Sequence, residues 1–119
     1  MTTTLRRMVP IIPARDIKAS AEHYRDTLGF EIVHTEREYG IVRRGPCELH
    51  LWGPSGIPPA RSNTMLRIEV DGLDDLYDDC QRQGTVHPNA PLHDEPWGTR
   101  EFAIVDLDGN LITFFTRDE

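Results

Sequence analysis

Glu48, His50 and Trp52 occupy alternate positions of the segment Cys47–Trp52. In an extended strand alternate side chains share a face, so a carboxylate, an imidazole and an indole would stand in one row, with Cys47, Leu49 and Leu51 behind them. Such a row combines a flat apolar wall with groups that hydrogen-bond and exchange protons near neutral pH. It suits a cleft for a ring-bearing ligand or a general acid/base pair, and equally a wet sheet face with one amphipathic Trp. A second aromatic stands in Glu95-Pro96-Trp97-Gly98, where Pro and Gly restrict the backbone on either side of the ring. Trp97 therefore either presents a surface at a rim or plugs the end of a core. In residues 65–70 the apolar row Leu66, Ile68, Val70 alternates with Met65, Arg67, Glu69. Arg67 and Glu69 either pair within a half-buried sheet or face a ligand.

Other chemistry finds less support. Asp106-Leu107-Asp108-Gly109-Asn110 has the look of a calcium loop, but apolar strand-like segments flank it and no Glu closes it, so it reads as a hairpin turn. Phosphate-loop, dinucleotide and serine-hydrolase motifs do not occur. His23 falls on the polar side of a helix, and His87 and His93 fall in a Pro-rich loop, which predicts surface positions for all three. Cys47 and Cys80 lie in no CxxC or Cys/His cluster and read as reduced core thiols.

The elements that must position these residues repeat. Asp16 as cap, Gly29 as stop, and Ile17, Ala21, Tyr24 and Leu28 on one face predict an amphipathic helix. Asp71, Gly84 and the face Leu73, Leu76, Tyr77, Cys80 predict a second, 55 residues later. A short apolar strand precedes each helix, at residues 9–12 and 65–70, and three follow it. Those are 31–35, 39–44 and 47–52 in the first half, and a weakly patterned piece near Val86, then 100–105 and 111–116, in the second. Gly45-Pro46 and Asp108-Gly109-Asn110 supply matching turns, with about nine extra residues in the Pro-rich stretch 87–96. The pattern is β-α-β-β-β twice. Two tandem modules, about 8–53 and 63–117, would form one α+β domain over 1–119, joined by the Gly/Pro-rich link 53–63.

At 119 residues there is room for one domain, and no stretch approaches the roughly 18 apolar residues of a membrane span. The first residues lack a secretory apolar run, so a cytoplasmic location is expected. The net charge of -7 argues against nucleic-acid binding. It is uneven: residues 1–61 carry nine basic and seven acidic side chains, residues 62–119 four and thirteen. An acidic second half tolerates cationic partners, or is simply a solvated face.

The duplicated βαβββ pattern, with Ile12-Pro13-Ala14-Arg15-Asp16-Ile17 entering the helix, Leu28-Gly29-Phe30 closing it, and Glu95-Pro96-Trp97-Gly98 followed by Val105-Asp106-Leu107-Asp108-Gly109-Asn110, resembles the vicinal oxygen chelate superfamily. That group includes glyoxalase I, extradiol dioxygenases, fosfomycin-resistance enzymes and bleomycin-resistance proteins. The resemblance implies a curved mixed sheet with a cleft and helices on its outer face. Its enzymes hold a divalent metal at four positions, which here fall on Val9, Glu48, Met65 and Thr113. Only Glu48 is a metal ligand of the usual kind, so no metal or other cofactor is expected. The bleomycin-resistance branch is the nearer likeness. It implies a homodimer that sequesters a cationic, planar-ringed drug, with Trp97 carried over by position, and no nucleic-acid or membrane partner. The row arguments add Trp52, Glu48, His50, Glu95 and Arg67 to the expected ligand contacts, and no catalytic residue. The rival is a glyoxalase-like lyase acting on a small oxygenated substrate through Glu48 and His50. A third reading is an accessory module whose sheet face is a dimer contact.

Overall fold

The computed structural model describes residues 2–53 and 62–117, and the chain divides into two compact units, within residues 1–57 and 58–119. Most of the predicted link lies outside the described residues. The first unit runs β1 (Ile11–Pro13), α1 (Ile17–Leu28), β2 (Glu31–Thr35), β3 (Tyr39–Arg44) and β4 (Cys47–Trp52). Helix α1 starts where the Asp16 carboxylate accepts the Ala19 amide at 3.0 Å, leaving fewer orphan donors in the first turn. It stops at Gly29, whose φ of 70° suits a residue without Cβ. The predicted stripe Ile17, Ala21, Tyr24 and Leu28 is buried. It rests on a four-stranded sheet of order β1-β4-β3-β2, in which β1 is parallel to β4 and the other pairings are antiparallel. Val42, Leu49 and Leu51 are buried beneath the helix, and Gly40 lets it approach: a Cβ there would lie 2.7 Å from Ile17 Cγ2. Alternation therefore sends Tyr39, Ile41, Glu48, His50 and Trp52 to the helix-free face.

The second unit repeats the topology with β5 (Met65–Glu69), α2 (Leu73–Gln83), β6 (His93–Asp94), β7 (Thr99–Val105) and β8 (Leu111–Arg117), in the order β5-β8-β7-β6. Again the first strand is parallel to the last. Phe102, Ile104, Ile112 and Phe114 are buried on the α2 side with Leu73 and Cys80, and the Tyr77 ring meets Phe102 edge-on at 5.0 Å. Burial pushes the Cys80 thiol up, which keeps it protonated and inert. The α+β class and the two tandem βαβββ modules are as expected, each module having its own four-stranded mixed sheet.

Four local expectations need correction. Helix α2 is capped by Gly72, at φ 80°, rather than by Asp71, and no side chain caps it; Asp74 and Asp75 lie in its first turn, at the positive end of the helix dipole. The strand expected near Val86 is an isolated bridge to Ile104, and the pairing strand is the two-residue β6. His23, His87 and His93 are half-buried rather than on the surface, the last two because their loop runs along β7: the His87 amide donates to the Ala103 carbonyl at 2.8 Å. Cys47 is likewise half-buried rather than in the core. The Asp106 turn is a hairpin turn, as expected. One carboxylate oxygen of Asp106 accepts the amides of Asp108 and Asn110 at 2.9 and 3.0 Å, and the other accepts the Asn110 side-chain amide at 2.8 Å.

Candidate functional site

Each unit presents a helix-free sheet face that carries polar chemistry. On the first, β4 sets Glu48 and His50 side by side, and β3 brings Tyr39 against them. His50 Nε2 lies 2.8 Å from Glu48 Oε2, and His50 Nδ1 lies 2.6 Å from the Tyr39 hydroxyl. A carboxylate can only accept, so in the neutral imidazole Nε2 carries the hydrogen and Nδ1 accepts from the phenol. The result is a phenol–imidazole–carboxylate chain, with Arg7 on the far oxygen of Glu48 at 3.4 Å. Hydrogen bonding from His50, aided by Arg7, holds the Glu48 carboxyl below the usual carboxylate range. Trp52 closes the row and is half exposed.

On the second face, β5, β8 and β7 stand adjacent and their register brings Arg67, Phe115 and Glu101 together. Arg67 grips the Glu101 carboxylate with both terminal nitrogens, at 2.9 and 3.4 Å, so of the two readings left open by the sequence the Arg67–Glu69 pair is not the one formed. Glu69 pairs with Arg117 at 3.5 Å. The Arg67 guanidinium lies 4.5 Å above the centre of the Phe115 ring, a cation–π stack. Hydrogen bonds from Arg67 and then from Thr99 keep the buried Glu101 carboxyl ionised to below its ordinary pKa. Arg67, Trp97, Gly98, Thr99, Phe115 and Arg117 line an open cleft of about 570 Å3. Trp97 is 66% exposed at its rim, so the ring is presented and does not plug the core. Glu95 turns away to His93, whose Nε2 lies 2.6 Å from Glu95 Oε1.

His93, Glu95 and Glu101 bring three potential metal donors within 4.8 Å of one another. Their atoms are already engaged: Nδ1 of His93 bonds the Pro91 carbonyl at 2.6 Å, its Nε2 bonds Glu95, and Glu101 is shared by Arg67 and Thr99. At the four positions matched to a superfamily metal, Val9 carries no donor, Met65 offers only a soft thioether, Thr113 only a hydroxyl, and Glu48 is committed to His50 and Arg7. That set does not fit a catalytic divalent ion.

Sequence profiles give the same grouping. Residues 5–114 match that of the Glyoxalase/Bleomycin resistance protein/Dioxygenase superfamily. The chain belongs to this superfamily. A bleomycin resistance protein from Geobacillus stearothermophilus is 37% identical, with 90% of this chain and 93% of the relative aligned. The solved bleomycin-binding protein of the bleomycin producer Streptomyces verticillus, in complex with copper(II)-bleomycin, superposes with a TM-score of 0.81 at 31% identity, covering 99% of this chain and all of that one. A bleomycin resistance determinant encoded on the transposon Tn5 gives 0.79 at 26% identity, over 97% of this chain and 100% of the other.

Of the six residues singled out by sequence, the glyoxalase/bleomycin-resistance fold brings Glu48, His50 and Trp52 onto one face of the first sheet, and Arg67 and Trp97 onto one cleft of the second unit. Glu95 belongs to the neighbouring His93 pair. Sequence reasoning missed Tyr39, Thr99, Glu101 and Arg117, and could not choose Phe115 over Phe30, Phe102 and Phe114 as a second aromatic wall. Alternation along β8 puts Phe115 and Arg117 on one face, but only the register with β5 sets them beside Arg67.

Proposed function

We propose that this protein binds a bleomycin-type drug and protects by sequestration, with no bond made or broken. The observation that carries the reading is the Trp97 cleft, where an exposed indole shares an open groove with a guanidinium stacked on Phe115. Flat rings gain most from such walls, because stacking is sequence-cheap and needs no charge transfer. The likeness to bleomycin resistance and bleomycin-binding proteins supports the choice of drug. The cationic part of the drug would lie outside the cleft, in the field of the acidic second half of the chain. A homodimer, the single-domain arrangement of the two modules, and contributions from Trp52, Glu48, His50 and Glu95 belong to the same proposal. No cofactor enters this mechanism.

Titration with metal-free bleomycin, followed by tryptophan fluorescence and calorimetry, tests it. Saturation at a whole-number ratio is expected. Trp97→Ala should weaken binding at least ~30-fold, the loss of about 2 kcal/mol typical of a stacking anchor. Arg82→Ala, on the exposed side of α2, should leave it unchanged. Absence of binding at micromolar protein would overturn the reading.

The Tyr39–His50–Glu48 chain favours a second reading, a lyase of the glyoxalase kind using this relay for proton transfer. Turnover of a small oxygenated substrate, abolished in His50→Asn and retained in Trp97→Ala, would establish it.

A further inference from the structure

Among the described residues that line the Trp97 cleft, the ionised side chains are Arg67 and Arg117, and each has a carboxylate partner, Glu101 and Glu69. Both cations approach one ring, at 4.5 and 5.9 Å from the centre of Phe115. They differ in what holds them. Arg67 is fixed by two bonds to Glu101, whose side chain is only 9% exposed, and by its stack on Phe115. It is a rigid, flat, cationic deck at no further ordering cost. Arg117 is 72% exposed and its ion-pair partner among the described residues, Glu69 at 3.5 Å, is 59% exposed. A pair that open is worth little, so exchanging Glu69 for another anion costs little.

We infer that this cleft binds planar aromatic anions, with the ring layered on the Arg67 deck beside Trp97 and a sulfonate or carboxylate substituent taken by Arg117. The inference rests on the cleft being the ligand site and deepens that reading by naming the charge of the group that enters. An electron-rich ring over a guanidinium gains cation–π attraction, whereas a cationic ring meets two like charges. The protein as a whole is acidic, at net -7, so general electrostatic attraction cannot produce a preference for anions. Such a preference has to arise locally.

Calorimetric titration of the whole protein with 2-naphthalenesulfonate and with (2-naphthyl)trimethylammonium, one ring with opposite charges, tests this. The sulfonate is expected to bind at least ~10-fold tighter than the cation, to quench tryptophan emission and to compete with bleomycin. Arg117→Gln should weaken the sulfonate about 5- to 10-fold and Arg117→Lys should restore most of the loss. Trp97→Ala should weaken both probes. Equal affinity for the two probes, a preference for the cation, or sulfonate binding that survives Trp97→Ala overturns the inference. Bleomycin bound without sulfonate discrimination would fell this inference alone. Sulfonate bound at Trp97 without bleomycin would support it and fell the drug-binding proposal.

Discussion

Single side chains here do two separable jobs, holding a turn and holding a charge network. Asp106 is buried and its two side-chain oxygens accept three hydrogen bonds within five residues, adding to the two backbone bonds, Asp106 N–H to Asn110 and Gly109 N–H to Asp106, that close the tip of the β7–β8 hairpin. Asp106→Ala leaves two amides and the Asn110 side chain without that acceptor and should cost about 3 kcal/mol, read as a lower urea midpoint at unchanged m. His93 is a charge-network residue. The Pro91 carbonyl and then the Glu95 carboxylate raise its pKa, with Glu101 adding to the field and burial opposing. A raised pKa in the folded state means stabilisation that is full below the ordinary value of about 6.5 and disappears as pH climbs through the raised one. The stability advantage of the native protein over His93→Asn should therefore be largest near about pH 6 and shrink by about pH 9. An advantage that grows with pH would contradict the assignment. Glu101 has the opposite sign: its depressed pKa gives support that is present above about 4.5 and lost as acid titrates it.

At the scale of elements, what was legible in the sequence is what depends on local periodicity. Strand alternation placed Glu48, His50 and Trp52 opposite Leu49 and Leu51, and Arg67 opposite Leu66 and Ile68, because each assignment needs only the period of two. The ends of α1 were legible because Asp16 and Gly29 act on their own turn. The partner of Arg67 was not. Glu69 is nearest in sequence, but alternate residues of a strand are nearly 7 Å apart, while Glu101 is reached across β8 and is 34 positions away. Strand β6 was missed because two residues have no periodicity; its position is set by β7. Contact between α1 and its sheet can be tested in the same terms. Gly40→Ala drives a methyl against the Ile17 side chain and should destabilise by about 1–3 kcal/mol. In an Ile17→Ala background that penalty should shrink, since the clashing methyl is gone. Equal penalties in the two backgrounds would mean that Gly40 is needed for something other than the approach of the helix.

For the whole molecule, the long-range field and the local chemistry of the Trp97 cleft have opposite signs. Thirteen acidic against four basic residues in 62–119 give that half a net charge of -9, while the cleft itself is lined by two arginines. The two act over different distances. Separated surface charges are screened beyond about 8 Å at physiological ionic strength, whereas a guanidinium in contact with a ligand anion is screened much less. A cationic drug of the proposed kind would be drawn in by the long-range term and would gain little from the arginines of the cleft, so salt should slow its association. Raising sodium chloride from about 20 to about 300 mM is expected to weaken bleomycin several-fold, chiefly through the association rate in stopped-flow fluorescence. For 2-naphthalenesulfonate the repulsive long-range term is screened together with the attractive local one, so its affinity should change less. A steeper salt dependence for the sulfonate than for bleomycin would place the dominant cation far from the ring, and would mean that contact with Arg117 is not what holds the anion.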